Sequence, residues 1–372
     1  MNQDWQNFLT AQGAQIQDGI TSHFGDTAAE RLATRDGTVL CDLSQLGTLR
    51  VSGEEAQSFL QNLLSNDIRE VNTSRAQLSS LNSAKGRMLA TLLIWRAGDD
   101  YLLQLPRVLC EAIRKKLSMY VLRAKVKITD ASDEIISMGL SGPNAQQVLR
   151  ARFGELPQEQ LTLTVRPDPS TSLRTKGLVE GENYYDSVIR ISDTRWQINT
   201  APQQAPILWR EFSAKARPAG SGCWNWLNIR SGIPVILTQT QEQFIAQMVN
   251  FDLINGVNFK KGCYPGQEIV ARTQYLGKPK RRMYLAHIDT LAHIDTLAHI
   301  GSAEPPQAGD ELFSADMEGQ ASGVLVNAAA APSGGYDVLA VVQIVSHDGH
   351  PVHLGSLQGA PLTFEPLPYP LT

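Results

Sequence analysis

The texture of the sequence changes near residue 280, and that change constrains the fold more than any other feature. Before it, runs with helical spacing mix with short strand-like runs. After it, residues 280–370 carry short apolar runs broken by Gly, Pro and Asp, with little helical periodicity. The first pattern predicts mixed α and β structure, and the second predicts a separate small all-β module. With 372 residues the chain is long enough for roughly two or three domains.

Within the first part, Trp5, Phe8, Leu9 and Ile16 fall at helical spacing and predict an amphipathic helix over residues 4–18. Thr38–Leu43 reads as a strand, with Cys41 as a small core residue. Leu49–Gly53 reads as a second strand, running into a helix that begins at Glu54-Glu55. Ala76–Asn82 and Met88–Trp95 read as two strands joined by the basic turn Lys85-Gly86-Arg87. Tyr101–Leu105 is a further strand. Pro106 then opens a helix expected to carry Val108, Leu109, Ile113 and Leu117 on one side. Lys125–Thr129 and Glu134–Leu140 read as strands, and Ser141–Asn144 caps a helix to about Arg152. Phe153–Thr175 reads as a connection with one edge strand. Tyr184–Ile191 and Arg195–Thr200 read as a hairpin, and Pro206 starts a helix. Strict β-α-β alternation is missing, which predicts an α+β class with antiparallel sheets. Gly220 and Gly222 precede the helix around Cys223–Arg230, but not as G-x-G-x-x-G in a β-α-β setting, so no dinucleotide site is expected. Trp224, Trp226 and Leu227 are read as core.

Composition narrows the classes. A formal net charge of −4 carries no electrostatic footprint for nucleic acid, so strong direct binding to it is not expected, although Lys278–Arg282 is a local basic run. Cys41, Cys110, Cys223 and Cys263 are widely spaced, with no C-x-x-C. This argues against a disulfide framework and against a self-contained metal or iron–sulfur site. Such spacing fits a reducing, cytoplasmic setting. Met1–Gly13 carries Asp4 and no apolar run, so no signal peptide is expected, and no stretch nears the ~20 apolar residues of a membrane span.

A hexapeptide repeat lies at residues 285–302, where Leu285–Thr290 recurs as Leu291–Thr296 and again begins at Leu297. It holds three of the seven histidines. A spacing of six puts successive histidines ~20 Å apart on a strand, or rotates them by ~240° on a helix, so neither geometry chelates an ion within the segment. The repeat reads as a local duplication: one copy completes a strand, and the extra copies form a loop or bulge with under-specified register.

The densest chemistry lies in Phe259-Lys260-Lys261-Gly262-Cys263-Tyr264-Pro265-Gly266-Gln267-Glu268, followed by Ile269-Val270-Ala271-Arg272. A thiolate is favoured by neighbouring cations or a helix N-terminus, so this reads as a device presenting a reactive Cys263 on a rigid loop. The other reading is a lysine-flanked surface turn with an ordinary cysteine. Residue types alone leave both open.

The string Lys261-Gly262-Cys263-Tyr264-x-Gly266-Gln267-Glu268 resembles the signature of the YgfZ family, folate-binding relatives of the glycine-cleavage T-protein linked to iron–sulfur protein maintenance and tRNA modification. The resemblance extends to Trp226–Pro234, Val270-Ala271-Arg272, Lys280-Arg281-Arg282 and Glu365–Tyr369. It also covers Asp42–Ser44, Asn66-Asp67 and Leu81-Asn82-x-x-Lys85-Gly86-Arg87. It implies an α+β, three-lobed T-protein-like fold, with two α+β lobes around a central channel and a C-terminal β-barrel. The expected boundaries are 1–140, 141–278 and 279–372.

The same resemblance implies tetrahydrofolate or a derivative as ligand, with iron–sulfur client enzymes or cluster carriers as partners. Cys263 would be an essential thiol activated by Lys261. Lys85, Arg87 and Arg230 are candidate cations for the glutamate tail, and Asn82 and Glu268 candidates for the ring edge. Tyr264 and Gln267 complete the candidate folate contacts. Two departures matter, one being that the glycine- and acid-rich T-protein loop expected near Arg190–Trp196 reads Arg190-Ile191-Ser192-Asp193-Thr194-Arg195-Trp196 instead. T-protein aminomethyltransferases carry an aspartate pair after the Gly turn, where this chain reads Leu89-Ala90-Thr91. The alternative function, folate-dependent aminomethyl transfer, therefore lacks its acids, and shared fold does not license shared activity. A cysteine hydrolase would need a partner histidine that no local motif supplies, and a folate-sensing scaffold would use Cys263 only structurally.

Overall fold

Trp5 and Leu9 decide where the chain begins to pack. Both are buried in a core they share with Leu40, Met138, Leu140, Trp196, Trp209 and Phe212. The computed structural model describes residues 1–167, 185–277, 279–289 and 304–371. The first helix, α1 (Gln3–Ala11), is capped by the Asn2 side chain. It stops well before Ile16, because Gly13 turns the chain with φ +93°. Ile16 instead lies in β1 (Gln15–Gln17), yet still packs on the same core.

In chain order follow β2 (Ile20–His23), α2 (Thr27–Asp36), β3 (Val39–Asp42), β4 (Leu46–Ser52), α3 (Ala56–Gln61), β5 (Gln77–Asn82), β6 (Met88–Ala97) and β7 (Asp100–Pro106). Then come α4 (Arg107–Val121), β8 (Lys127–Asp130), β9 (Ile136–Ser141), α5 (Ala145–Phe153), β10 (Leu163–Pro167) and β11 (Tyr185–Arg190). Next are β12 (Arg195–Thr200), α6 (Ala205–Ser213), β13 (Arg217–Ala219), α7 (Ser221–Arg230) and α8 (Gln267–Tyr275). Last are β14 (Arg281–Ile288), β15 (Glu311–Ser314), β16 (Ala321–Ala330), β17 (Tyr336–Gln343), α9 (Ile344–Gly349), β18 (Val352–Leu354) and β19 (Thr363–Glu365).

The described residues fall into two compact units. Met1–Gln61, Asp67–Leu78 and Leu92–Trp224 form one, and Asn62–Asn66, Ser79–Thr91 and Asn225–Thr372 the other. The boundary passes through β5, β6 and α7. The first unit holds a sheet in the order β10-β11-β12-β9-β3-β13. Its pairings are antiparallel except β3 with β13, which run parallel. Antiparallel sheets throughout were expected. A parallel pair needs only a long connection, and residues 43–216 supply one. A second sheet runs β5-β6-β7-β4-β8. On α4 the buried side is Leu109, Cys110, Ile113 and Leu117. Val108, expected on that side, is 69% exposed, since one residue turns about 100° round the helix.

The C-terminal sheet runs β18-β15-β16-β17-β14-β19, antiparallel throughout. Its two ends meet through the chain itself. The Leu354 amide donates to the Ala360 carbonyl at 2.8 Å, and the Leu362 amide donates to Val352 at 2.9 Å. Residues 360–362 lead straight into β19, so the sheet curls toward closure as a half-barrel. This is the expected barrel-like module, with the short helix α9 inserted where all-β texture was read. Leu285–Ile288, the first hexapeptide copy, completes β14. The later copies, at residues 290–303, lie outside the described residues.

A carboxylate ties α7 to this sheet. Asp337 on β17 is 5% exposed and faces His287 in register on β14, with the His287 Nδ1 2.7 Å from its Oδ1. Its Oδ2 accepts the Trp226 indole N–H at 2.8 Å and lies 3.5 Å from Arg230 Nη1. Arg230 also donates to Glu365 on β19 at 2.5 Å. Removing one member of a buried charged network leaves the others uncompensated, at a cost of roughly 3–5 kcal/mol. Asp337→Ala is therefore expected to lower urea-unfolding stability by roughly that amount. Glu365→Gln, at a third-exposed carboxyl, should cost less than about 1 kcal/mol. Equal effects from the two variants, read by tryptophan fluorescence, would show that Asp337 is not the hub.

Candidate functional site

A short buried strap, Leu64-Ser65-Asn66, holds the motif loop from below. The Ser65 amide donates to the Ser80 carbonyl at 3.0 Å, and the Ser80 amide donates to Ser65 Oγ at 2.8 Å. The Ser65 hydroxyl donates in turn to the Gly256 carbonyl at 2.8 Å, and Asn66 Nδ2 donates to Asn255 at 2.7 Å. The Asn258 amide donates to the Ser65 carbonyl at 3.1 Å. Ser65 thus rivets β5 to the segment that enters the motif. Both serines involved, Ser65 and Ser80, are fully buried.

Lys261 follows. Its side chain turns inward, is 5% exposed, and donates from Nζ to the Leu64 carbonyl. The ammonium also sits 5.0 Å from the centre of the Tyr264 ring, a cation–π distance. Lys260, one residue earlier, is exposed. Cys263 is the exposed cysteine, whereas Cys41, Cys110 and Cys223 are buried. Burial pushes the Cys41 and Cys223 thiols up and takes Cys110 to about 12, so these three are inert core residues. Tyr264 is 7% exposed, and burial pushes its phenol to about 12. At neutral pH it is a hydrogen-bond donor and a ring face, not a base.

Past Tyr264 the chain makes its tightest approach. Gly266 has φ +79°, and a Cβ there would lie 2.4 Å from both the N and the Cα of Gly86. Gly86 itself has φ +70° and backs onto the Gly266 carbonyl and Ile269. Ser83 and Arg87 close the Gly86 turn, the Ser83 amide donating to the Arg87 carbonyl at 2.8 Å. Two turns that are distant in sequence, Lys85-Gly86-Arg87 and Pro265-Gly266, therefore meet backbone to backbone. Gln267 then opens α8, its amide donating to the Tyr264 carbonyl at 3.1 Å, and Glu268 stands exposed in the first turn. Gln247 Nε2 holds the helix from beneath by the Val270 carbonyl at 2.7 Å.

The candidate residues divide accordingly. Lys261, Cys263, Tyr264, Gln267 and Glu268 share one loop-to-helix segment, and Lys85 and Arg87 flank the glycine that touches it. Arg87 donates to the Gln243 carbonyl at 2.6 Å, and Lys85 is exposed. Asn82 ends β5 just before that turn. It is 2% exposed, its Oδ1 accepts from the Ser80 hydroxyl at 3.0 Å, and its Nδ2 has no partner among the described residues. An orphaned buried amide donor costs about 1–3 kcal/mol. Arg230, by contrast, is engaged by Asp337 and Glu365. Thr91, in the Leu89-Ala90-Thr91 stretch, accepts from the Ile236 amide at 3.3 Å. Sequence reasoning missed Ser65 and the two-glycine contact. A lone serine carries no signal, and paired glycines show only that each permits a turn.

Two outcomes follow from this geometry. Gly266→Ala meets backbone rather than a movable side chain, at a positive φ, so a loss of at least about 2 kcal/mol in unfolding free energy is expected. Gly262→Ala, with open space around it, is the neutral control, and comparable losses from both would discount the close approach. Burial also raises Tyr264, Tyr284 and Tyr369 to about 12. A folded pKa raised above the unfolded value near 10 stabilises the fold fully below pH 10 and is lost as pH climbs toward 12. Stability should fall steeply across pH 10–12, and the three Tyr→Phe variants together should flatten that fall in a spectroscopic alkaline titration.

Comparison with known proteins fits this picture. The family model described as the GCVT N-terminal domain matches residues 7–254. The "tRNA-modifying protein YgfZ" of Colwellia psychrerythraea is 30% identical over 253 residues, covering 68% of this chain and 72% of that protein. The proteins of that name from Shigella boydii and Escherichia coli O157:H7 are each 29% identical over 348 residues, covering 93% of this chain and 96% of theirs. In three dimensions, the glycine cleavage system aminomethyltransferase T of Bartonella henselae matches with a TM-score of 0.74 at 17% identity, over 98% of this chain and 96% of that one. That likeness carries the fold, and the sequence matches carry the kinship: the chain belongs to the GCVT-domain proteins and, among them, to the YgfZ family.

Proposed function

We propose that this chain is a folate-binding accessory protein that supports iron–sulfur cluster assembly or repair in client enzymes and, through them, tRNA modification. The observation that carries the proposal is an exposed Cys263 on a loop pinned on both sides, by buried Lys261 before it and by the Gly266–Gly86 contact after it. A thiol so placed reaches a partner while its backbone stays fixed. Lys261 is a positioning residue in this reading, since its ammonium is turned toward Leu64 and Tyr264.

The residues present fit a tetrahydrofolate. The orphan Nδ2 of Asn82 offers a buried donor to a ring-edge acceptor, and Tyr264 and Gln267 lie on the adjoining segment. Lys85 supplies the cation for the glutamate carboxylates; Arg230 is already held by two acids. A bound tetrahydrofolate supplies a carrier for one-carbon units. The chain's own part is to orient it and to keep Cys263 in place. Aminomethyl transfer is disfavoured because Leu89, Ala90 and Thr91 bring no carboxylate.

The test is a titration of purified protein with tetrahydrofolate alongside tRNA modification in cells lacking the native copy. Asn82→Ala should weaken binding by about tenfold, the worth of one buried hydrogen bond. Cys263→Ala should bind within about twofold of wild type yet fail to restore modification. No binding by the wild type would end the folate reading, and full rescue by Cys263→Ala would end the role of the thiol.

A further inference from the structure

Helix α8 presents a face that the described residues do not cover. Val270 is buried, and Gln247 grips the helix at the Val270 carbonyl, so that side is packed. At about 100° per residue, Ile269, Arg272, Tyr275 and Leu276 fall within one arc of about 120° on the other side. Ile269, Tyr275 and Leu276 are 40%, 66% and 84% exposed. Phe259 meets Tyr275 edge-on, with ring centres 6.2 Å apart, and extends the apolar area back toward the motif loop.

Cations surround this area. Lys260 adjoins Phe259, Arg272 lies on the face itself, and Lys280 follows the helix. Lys85 adjoins Gly86, which backs onto Ile269. Among the described residues none of these four has an ion-pair partner, and Glu268 is the one acid of the helix. The whole chain carries a net charge of −4, so this is a local reversal of sign. An apolar stripe rimmed by unpaired cations matches a partner surface of apolar side chains rimmed by acids. RNA fits less well. Phosphates satisfy the cations and a base can stack on Tyr275, but Ile269 and Leu276 are aliphatic and offer no ring face.

We propose that the outer face of α8 is a docking surface for an acidic protein partner bearing apolar side chains, seated so that its reacting group meets Cys263 on the loop leading into the helix. The surface is inferred independently of folate, and its link to Cys263 rests on the function proposed above.

The decisive measurement uses purified full-length protein without folate. It compares binding of a Glu/Tyr random copolymer, plain polyglutamate and polyuridylate, in wild type, Arg272→Glu, Tyr275→Ser/Leu276→Ser, and the control Val108→Ser on α4. The copolymer should bind the wild type at least about tenfold more tightly than either other polymer. Both α8 variants should lose that preference while unfolding at the wild-type denaturant concentration, and the control should keep it. Equal binding of copolymer and polyglutamate, preference for polyuridylate, or α8 variants that bind like wild type would each overturn the proposal. The same variants are then placed in cells lacking the native copy. Tetrahydrofolate affinity within about twofold of wild type, with tRNA modification reduced at least tenfold, joins the surface to the function. Normal modification in cells with no copy at all would refute the proposed function and leave the copolymer result to decide the surface.

Discussion

The contact between Gly86 and Gly266 is the constraint from which the candidate site is built. Each glycine takes a positive φ, and each would meet the other's backbone if it carried a Cβ. A backbone-to-backbone approach is stiffer than any side-chain contact, because no rotamer change relieves it. It fixes the start of α8 against the basic turn between β5 and β6. Cys263 and Tyr264, three and two residues before Gly266, inherit their positions from it. The other end of the loop is held by Ser65 and Lys261. The exposed thiol therefore sits between two buried anchors, which gives an accessible residue the precision of an interior one.

The two lysines of the motif take different positions in that arrangement. A lysine two residues before a cysteine invites the idea of direct charge stabilisation. Here the Lys261 ammonium is spent on the Leu64 carbonyl and the Tyr264 face, deep in the unit, and Lys260 takes the solvent-facing position. A buried ammonium holds its neighbours by several directed interactions at once, which suits a residue whose task is to shape a loop. Arg230 makes the same point. Read as a free cation in sequence, it is spent on Asp337 and Glu365, joining α7 to the C-terminal sheet.

Much of this was legible in the residues. The hairpin around Lys85-Gly86-Arg87, the helix after Pro106 and the barrel-like texture beyond residue 280 all followed from periodicity and turn chemistry. So did the burial of Trp224 and Trp226. What was not legible depends on contacts between distant segments. Ile16 continued a helical pattern that Gly13 had already ended. Val108 looked apolar enough for the core but lay one residue off the buried stripe. The parallel pairing of β3 with β13 joins segments some 175 residues apart, a distance at which local pattern carries no information. The strap Leu64–Asn66 is invisible for a similar reason: Ser65 is ordinary in sequence and acquires its role only from what surrounds it.

The shared fold and the missing acids can be reconciled physically. In this chain the β5–β6 turn meets the helix that follows the motif loop, and backbone geometry alone maintains that meeting. Leu89, Ala90 and Thr91 are buried at 7%, 0% and 8% exposure and pack as core, with no carboxylate among them. Burying apolar side chains where a carboxylate would need solvation or a partner raises stability while removing an acid–base group. With no carboxylate there, the proposed function rests on the exposed thiol at the loop. Under the proposed function, a chain that keeps the frame, carries no carboxylate at those positions and exposes Cys263 near a helix face that the described residues leave open suits exchange with another macromolecule.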